Sequence, residues 1–114
     1  MILKNVLEVL PLNLLTKSNP VEQPVVSACI SDMLSDVMAK APKDSLWITN
    51  QTHENVIAIA FFKELTAVIF ANGVVPSVET IDKANKKQIA LYSCEANAFD
   101  IAGRLYTLGL RGSH

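Results

Sequence analysis

Short apolar runs, each followed by a polar turn and a helical pattern, are the feature that most limits the folds open to this chain. The runs SLWIT, AVIFA and IALYS start at Ser45, Ala67 and Ile89. Runs that are apolar at nearly every position are typical of strands buried on both faces, and helical crossovers between such strands make the sheet parallel. The sequence therefore predicts an α/β fold, with a mainly parallel sheet of about four or five strands and helices on both faces.

Hydrophobic spacing and turn residues predict the remaining elements. Leu3, Val6, Leu7 and Leu10 recur at helical spacing and indicate an opening helix that Pro11 ends. Further strands are predicted at 12–15 and 25–29, and helices are predicted at 31–41, 52–65, 77–87 and 97–108. A first strand that pairs antiparallel at the edge of the sheet is compatible with this pattern.

Four polar residues are predicted to be the N-caps of helices. They are Ser31, Thr52, Ser77 and Asn97, and Asp32 follows Ser31 as an acid in the first helical turn. The side chains predicted to point toward the sheet are Met33, Leu34, Val37 and Met38 in one helix and Val78, Ile81 and Ala84 in another.

Length and charge exclude several classes of protein. In a chain of 114 residues we expect one domain at 2–110, and the RGSH ending at 111–114 is interpreted as the remnant of a purification tag. Ten Lys and Arg residues against eleven Asp and Glu residues leave no bulk positive charge to bind nucleic acid or an anionic membrane. The longest apolar run, 56–62, is too short to cross a bilayer, and the start of the sequence lacks the features of a secretory signal. We therefore expect a soluble, cytoplasmic protein.

The two cysteines, Cys29 and Cys94, each lie among apolar neighbours and form no CxxC spacing. Two buried thiols are expected, with no disulfide, no metal site and no cofactor.

The helix predicted at 52–65 has almost no polar face, because 56–62 reads VIAIAFF. Such a helix must be buried on most sides. Either it occupies the centre of the domain, or part of it forms an interface between two copies of the chain. We predict a homodimer.

Several short motifs follow one another in order over nearly the whole chain. They are SDMLSDVMA at 31–39, WIT at 47–49, QTH at 51–53, NG at 72–73, AF at 98–99 and IAGRLY at 101–106. Together they resemble the DRTGG domain family. Members of this family are small stand-alone proteins or regulatory inserts beside catalytic or CBS modules, and their fold is similar to the amino-terminal domain of HPr kinase/phosphorylase. The resemblance implies a regulatory domain that is not an enzyme.

The family's own signature is altered in this chain. Just before a strand-to-helix junction the chain reads EQPVVSA at 22–28, so Glu22 keeps the acid and Gln23 replaces the arginine. Ser27 and Ala28 replace the paired glycines. Glycine permits positive φ and close backbone approach, and arginine offers a planar donor fork. The chain lacks both properties at its signature.

Parallel strands place the turns that follow them at one edge of the sheet, where open α/β sheets bind ligands. We therefore predict a site for a small polar effector, such as a nucleotide, at this edge. Backbone N–H groups at the helix starts are expected to hold an anion. The alternative is that these residues only cap helices and form turns. The predicted site residues are Ser31, Asp32, Thr49, Asn50, Gln51, Thr52, His53, Asn72 and Gly73.

Two other functions stay open. One is a homodimeric interaction module that docks on a partner enzyme and modulates its activity. The other is an enzyme, which we do not predict, because the sequence contains no GxxxxGK[ST] phosphate loop and no nucleophile or metal cluster accompanies His53. Cys94, ahead of the Asn97 cap, is either a thiol activated by the helix dipole or an inert thiol at the end of a strand.

Overall fold

The computed structural model of the chain describes residues 1–113, which form one sheet of five strands and five helices. The strands are β1 (Asn13–Leu14), β2 (Ser27–Ile30), β3 (Ser45–Thr49), β4 (Ala67–Phe70) and β5 (Leu91–Ser93). The helices are α1 (Leu3–Leu7), α2 (Leu34–Lys40), α3 (Asn55–Phe62), α4 (Val78–Lys87) and α5 (Ala98–Leu108).

The sheet has the strand order β1-β5-β4-β3-β2. Strands β2 to β5 are parallel to one another, while β1 pairs antiparallel with β5 at one edge. The predicted mainly parallel sheet is confirmed. The structure also gives the strand order, which could not be predicted from the sequence. Because consecutive strands β2 to β5 are also neighbours, the turns that follow them form a continuous row along one edge.

The two faces of the sheet are covered by different helices. Leu46, Ile48 and Ile69 belong to a core on the side of α1 and α5, together with Ile101 and Leu105. The alternate residues of the same strands belong to a second core beneath α2, α3 and α4, which contains Trp47, Val68, Phe70, Val37, Val56 and Ala84. Helices on both faces are therefore confirmed. Double coverage also explains why the strand sequences are apolar at nearly every position.

Two of the four predicted helix caps are correct. The Ser77 hydroxyl accepts the N–H of Thr80 at 3.2 Å, and the Asn97 side chain accepts the N–H of Asp100 at 2.9 Å. The predictions for Ser31 and Thr52 are wrong. The helices after them begin only at Leu34 and Asn55, because the intervening residues form hydrogen-bonded turns.

Before α2 and α3, short hydrogen-bonded turns stand where the sequence predicts N-caps. The Ser31 hydroxyl accepts the N–H of Met33 at 3.0 Å, so Ser31 and Asp32 lie outside α2. Before α3, the Nδ1 atom of His53 accepts the N–H of Asn55 at 3.0 Å. Thr52 is therefore two residues too early to serve as the cap.

The predictions of which helix side chains point toward the sheet are partly correct. Val37 and Ala84 are buried, and Leu34 and Ile81 pack against the same core. The predictions for Met33, Met38 and Val78 are wrong, since these side chains are 61%, 38% and 70% exposed. Met33 precedes the shortened α2, and Val78 is the first residue of α4, whose buried residues are Thr80 and Ala84.

Helix α3 lies at the surface, so the central position considered for it is excluded. Val56, Ile57 and Ala60 are buried against the sheet, whereas Phe61 and Phe62 are 51% and 68% exposed. The helix is apolar all round, yet only one side of it is covered in a single chain.

The residues after α5 contact the edge strand β2. Leu110 is buried, and the carbonyl of Arg111 accepts the N–H of Ala28 at 3.2 Å. The guanidinium of Arg111 lies 3.5 Å from the ring centroid of Tyr106. The tag interpretation of 111–114 stays a prediction, and His114 lies outside the described residues.

Within the part of the chain that the structure describes, no helix is both long enough and apolar enough to cross a membrane. The two cysteines are free thiols, with Cys94 buried and Cys29 half-buried.

Candidate functional site

The turns that follow β2, β3, β4 and β5 lie together at the carboxyl edge of the parallel strands, which we call the rim. The rim comprises 31–33, 50–54, 71–77 and 94–97. All nine predicted site residues lie on it or, for Thr49, at the last strand position before it. Whether they bind a ligand stays a prediction.

Asp32 joins the turn after β2 to the end of β3. Its Oδ1 atom accepts the hydroxyl of Thr49 and the N–H of Asn50, each at 2.7 Å. The Thr49 hydroxyl, followed by the Asn50 N–H, lowers the pKa of the Asp32 carboxyl below its ordinary range, because both donors favour the ionised form. Asp32 is thus a fixed negative charge at the rim around neutral pH.

Asn50 and Asn72 join the turn after β3 to the turn after β4. The Nδ2 atom of Asn72 donates to the Oδ1 atom of Asn50 at 2.8 Å. The backbone of the same turn reaches the next one, because the N–H groups of Asn72 and Gly73 donate to the carbonyls of Ala96 and Cys94 at 2.9 and 2.8 Å. Hydrogen bonds therefore connect all four turns of the rim in sequence.

Buried side chains support this row of turns from below. The indole Nε1 of Trp47, a fully buried side chain, donates to the carbonyl of Ser31 at 2.9 Å. The Thr49 hydroxyl also accepts the N–H of Gln51 at 3.0 Å. Since Trp47 and Thr49 belong to a central strand, the position of the polar turns is set by the sheet.

Gln51 and His53 serve the start of α3. The side-chain oxygen of Gln51 accepts the N–H of His53 at 3.2 Å, and the Nδ1 atom of His53 accepts from Asn55. Thr52 lies between them and is half-buried. The role seen for His53 is therefore that of a local acceptor at a helix start.

Three backbone N–H groups at the start of α3 are already hydrogen-bonded. The N–H of Asn55 is taken by His53 Nδ1, and those of Val56 and Ile57 are taken by the carbonyls of His53 and Glu54, each at 3.0 Å. The preceding turn uses these three donors itself, and the anion site expected at helix starts stays a prediction.

Glu95 is a rim residue that the sequence-based list omits. Its carboxylate lies directly over Gly73, and a Cβ atom added to Gly73 would stand 2.7 Å from Glu95 Oε2. Gly73 also has a φ of +69°, which glycine adopts freely. Glu95 follows β5 as Asp32 follows β2, so applying the same rule to the last strand would have found it.

The strands β4 and β5 also define a topological switch point. The helix after β4, α4, covers one face of the sheet, and the helix after β5, α5, covers the other. Connections that leave neighbouring strands toward opposite faces open a crevice at their carboxyl ends, and open α/β sheets commonly bind ligands there. Asn72, Gly73 and Glu95 lie at this position.

The rim carries carboxylates and amides but few cations. Asp32 and Glu95 are exposed acids, and Lys83 is engaged by the rim residue Glu54, with its Nζ atom 2.6 Å from Glu54 Oε2. This arrangement favours ligands that offer hydroxyl, amide or amine groups over ligands that bind through phosphate alone.

The altered signature lies at the opposite edge of the sheet. Gln23 donates to Asp44 Oδ1 at 2.9 Å, and the hydroxyls of Ser27 and Ser45 lie 2.8 Å apart in the core. Ser27 begins β2, so the signature is at the amino end of the strand. The serine at position 27 is therefore accommodated by a pairing within the sheet.

Metal-binding groups and thiols are two further chemical features of residues 1–113. These residues contain no group of three or more His, Cys, Asp and Glu side chains able to hold a metal. Cys94 is fully buried, and burial raises the pKa of the Cys29 thiol to about 11. A thiol with this pKa is protonated and unreactive near neutral pH.

A second surface feature lies between two helices on one face. A groove of about 570 Å³ runs between α3 and α4, and we call it the α3–α4 groove. Its lining residues are Glu54, Asn55, Ile57, Ala58, Phe61, Phe62, Lys83, Lys86 and Lys87.

Comparison with known proteins identifies a structural relative. No protein-family model matches the chain, and no curated protein sequence matches it. A solved structure is similar, namely the CBS and DRTGG domains of the regulatory region of Clostridium perfringens pyrophosphatase complexed with the activator diadenosine tetraphosphate. The TM-score is 0.71 at 16% sequence identity, over 93% of this chain and 46% of that chain. The chain thus spans less than half of that regulatory region, and the similarity confirms the expected DRTGG-like domain at the level of the fold.

Proposed function

We propose that this chain is a non-catalytic regulatory domain that binds a small polar effector at the rim. The observation that carries the proposal is the hydrogen-bonded row from Asp32 through Asn50 to Asn72, which joins three successive turns. All three side chains are exposed. An effector that contacts the row would therefore touch the ends of three strands at once.

The charges of the rim narrow the class of effector. Asp32 and Glu95 attract donors, and the amides of Asn50 and Asn72 both donate and accept. A nucleoside offers ribose hydroxyls and a base edge with both kinds of group, so it matches the rim better than a polyphosphate does. The similar pyrophosphatase region is complexed with a dinucleotide activator, which supports a nucleotide as effector.

The proposed site consists of the turns after β2, β3 and β4, and Glu95 in the turn after β5 adjoins it at Gly73. Its members are Ser31, Asp32, Thr49, Asn50, Gln51, Thr52, His53, Asn72 and Gly73. A cytoplasmic location is part of the same proposal.

Thermal unfolding with a panel of nucleosides and nucleotides tests the proposal. A ligand at about 100 times its Kd stabilises the folded state by about 2.7 kcal/mol. We expect at least one nucleoside to raise the Tm of the chain through this stabilisation, and the variant Asn72→Ala to lose the rise in Tm. The matched control is Thr107→Ala, which truncates an exposed polar residue near the end of α5, away from the rim. No shift across the panel, or equal shifts in both variants, would reject the rim as the site.

A second candidate function is an interaction module that pairs with itself or docks on a partner enzyme. The observation that favours it is the exposure of Phe61 and Phe62 on α3, because large exposed aromatic side chains that lie together mark interaction surfaces. Light scattering distinguishes the forms, since a monomer has a mass of 12.4 kDa and a homodimer twice this mass.

A further inference from the structure

We infer that the α3–α4 groove binds an acidic, amphipathic helix of a partner protein. The inference deepens the second candidate function, since it names the docking surface and the chemistry of the partner. It is independent of effector binding at the rim.

The floor of the groove is apolar, and Ala58, Phe61 and Phe62 expose part of it, whereas Ile57 is buried. Ile57 and Ala58 line it, and Phe61 and Phe62 stand at its carboxyl end with about half or more of their surface exposed. Burying an aromatic side chain of this kind is strongly favourable, and such residues dominate interface energetics. The floor therefore supplies the apolar contacts that a docked helix needs.

The wall of the groove is basic. Three lysines and one glutamate line the groove, an excess of two positive charges, in a chain whose net charge is −1. Glu54 already pairs with Lys83 at 2.6 Å. Within residues 1–113, Lys86 and Lys87 form no salt bridge, although Asp82 lies one helical turn before Lys86. Two cations without a carboxylate partner thus flank the exposed aromatic rings.

Lys87 and Phe61 already contact each other. The Nζ atom of Lys87 lies 4.7 Å from the centroid of the Phe61 ring. The aliphatic stem of a lysine can cover apolar surface while its charge stays in water. A carboxylate on the docked segment would meet this charge at the border of the apolar floor.

The charge of the groove argues against a second copy of this chain as the occupant. In a two-fold symmetric contact the same patch of each copy faces the other. Each copy would then present the groove's excess of two positive charges to the same excess on its partner. Such juxtaposition of like charges costs free energy and disfavours self-pairing through this groove.

The shape of the groove favours a helix. It lies between α3 and α4, helices of 8 and 10 residues, which rise about 12 and 15 Å along their axes. A third helix can lie along such a groove with apolar residues at positions i, i+3, i+4 and i+7. Acidic residues on both sides of that stripe would face the lysines.

Binding of designed peptides to the full chain tests the inference. The probe is a fluorescently labelled helical peptide of about 14 residues with a leucine stripe flanked by glutamates, measured by anisotropy. The matched peptide carries lysines in place of the glutamates. We expect the acidic peptide to bind and the basic peptide to bind at least about tenfold more weakly at low salt, with the difference shrinking near 1 M salt.

Variants of the groove locate the binding. The double variant Lys86→Glu, Lys87→Glu should weaken the acidic peptide at least about tenfold and reverse the preference between the two peptides. The control is Lys40→Glu, Lys43→Glu, which reverses two exposed lysines outside the groove and should leave binding within about twofold. All four substituted lysines are exposed, and circular dichroism serves as the check that both double variants fold.

Three results would overturn the inference. They are equal binding of the acidic and basic peptides, insensitivity of the acidic peptide to the groove variant, and a homodimer in light scattering that Phe62→Ser dissolves. The last result would keep the interaction module as a function and reject its acidic partner. A monomer that binds neither peptide would reject the interaction module itself, and this result is distinct from the three above.

Discussion

Removal of the Asp32 carboxylate tests the network that holds the rim together. In Asp32→Ala the Thr49 hydroxyl and the Asn50 N–H lose their shared acceptor. Hydrogen bonds to charged groups contribute about 1.5–3 kcal/mol when shielded from water. Thr49 is 2% exposed, so we assign about 1.5 kcal/mol to its bond, and about 0.5 kcal/mol to the exposed Asn50 bond, where water can replace the acceptor.

The expected loss of unfolding free energy is therefore about 2 kcal/mol, or a fall in Tm of about 8 °C for a domain of this size. Urea unfolding followed by the fluorescence of Trp47, the single tryptophan, measures it. In a Thr49→Val background, the same Asp32→Ala change should lower the free energy of unfolding by only about 0.5 kcal/mol. Asp82→Ala is the control, because Asp82 is an exposed acid elsewhere on the surface.

The pH dependence of this loss has a defined sign. The pKa of Asp32 is lowered in the folded chain, so the unfolded chain binds the proton more readily and the contribution is fully present above the ordinary Asp value. The difference between wild type and Asp32→Ala should be constant from about pH 7 to 5 and shrink below about pH 4. A difference that is absent at pH 7, or that persists unchanged into acid, would refute the assigned role of Asp32.

Three further predictions concern other parts of the chain. Gly73→Ala should lower the free energy of unfolding by about 1–2 kcal/mol, because position 73 has a positive φ and the new Cβ would clash with Glu95. Adding Glu95→Ala should recover only the part of this loss that comes from the clash with Glu95. Cys29 should react with iodoacetamide more slowly than a free thiol at pH 8 and accelerate only as the pH approaches its pKa of about 11, as mass spectrometry of the labelled peptide would show. Ile69→Ala should cost about 2–5 kcal/mol in urea unfolding, because Ile69 is fully buried in the central strand β4.

The fold could be predicted because its main signal is local. Strands buried on both faces read as continuous apolar runs, as the runs beginning at Ser45 and Ala67 do. The alternation with helical segments then specifies parallel crossovers. Strand order could not be predicted, because it depends on which runs pair across long stretches of sequence.

The helix starts at Ser77 and Asn97 could be predicted from the sequence, whereas the start of α2 could not. Ser77 and Asn97 bond to residues three positions ahead, and the sequence predicts both correctly. Asp32 instead bonds to Thr49, 17 positions away, and this contact holds the chain in a turn before α2 begins. Single-sequence patterns contain no information on such a contact.

The apolar run of α3 illustrates a different limit. Its composition predicts burial, but a run without a polar face does not show which side contacts the sheet. The structure covers Val56 and Ala60 and leaves Phe61 and Phe62 in solvent. A surface feature that suits docking thus looks the same in the sequence as a core helix.

The location of the candidate site could be predicted from the sequence, but the hydrogen bonds within it could not. Parallel strands bring their following turns to one edge, so the positions of Asn50 and Asn72 follow from the fold class. Their mutual hydrogen bond requires β3 and β4 to be neighbours, and the contact between Glu95 and Gly73 requires the same of β4 and β5.

The most direct test of effector binding at the rim is an NMR titration of the 15N-labelled chain with adenosine, guanosine and their monophosphates. We expect one of these ligands to shift the amide signals of Asp32, Asn50 and Asn72 together, while signals at the amino edge around Gln23 stay in place. Shifts confined to that opposite edge or to the α3–α4 groove, or none for any ligand in the set, would contradict it.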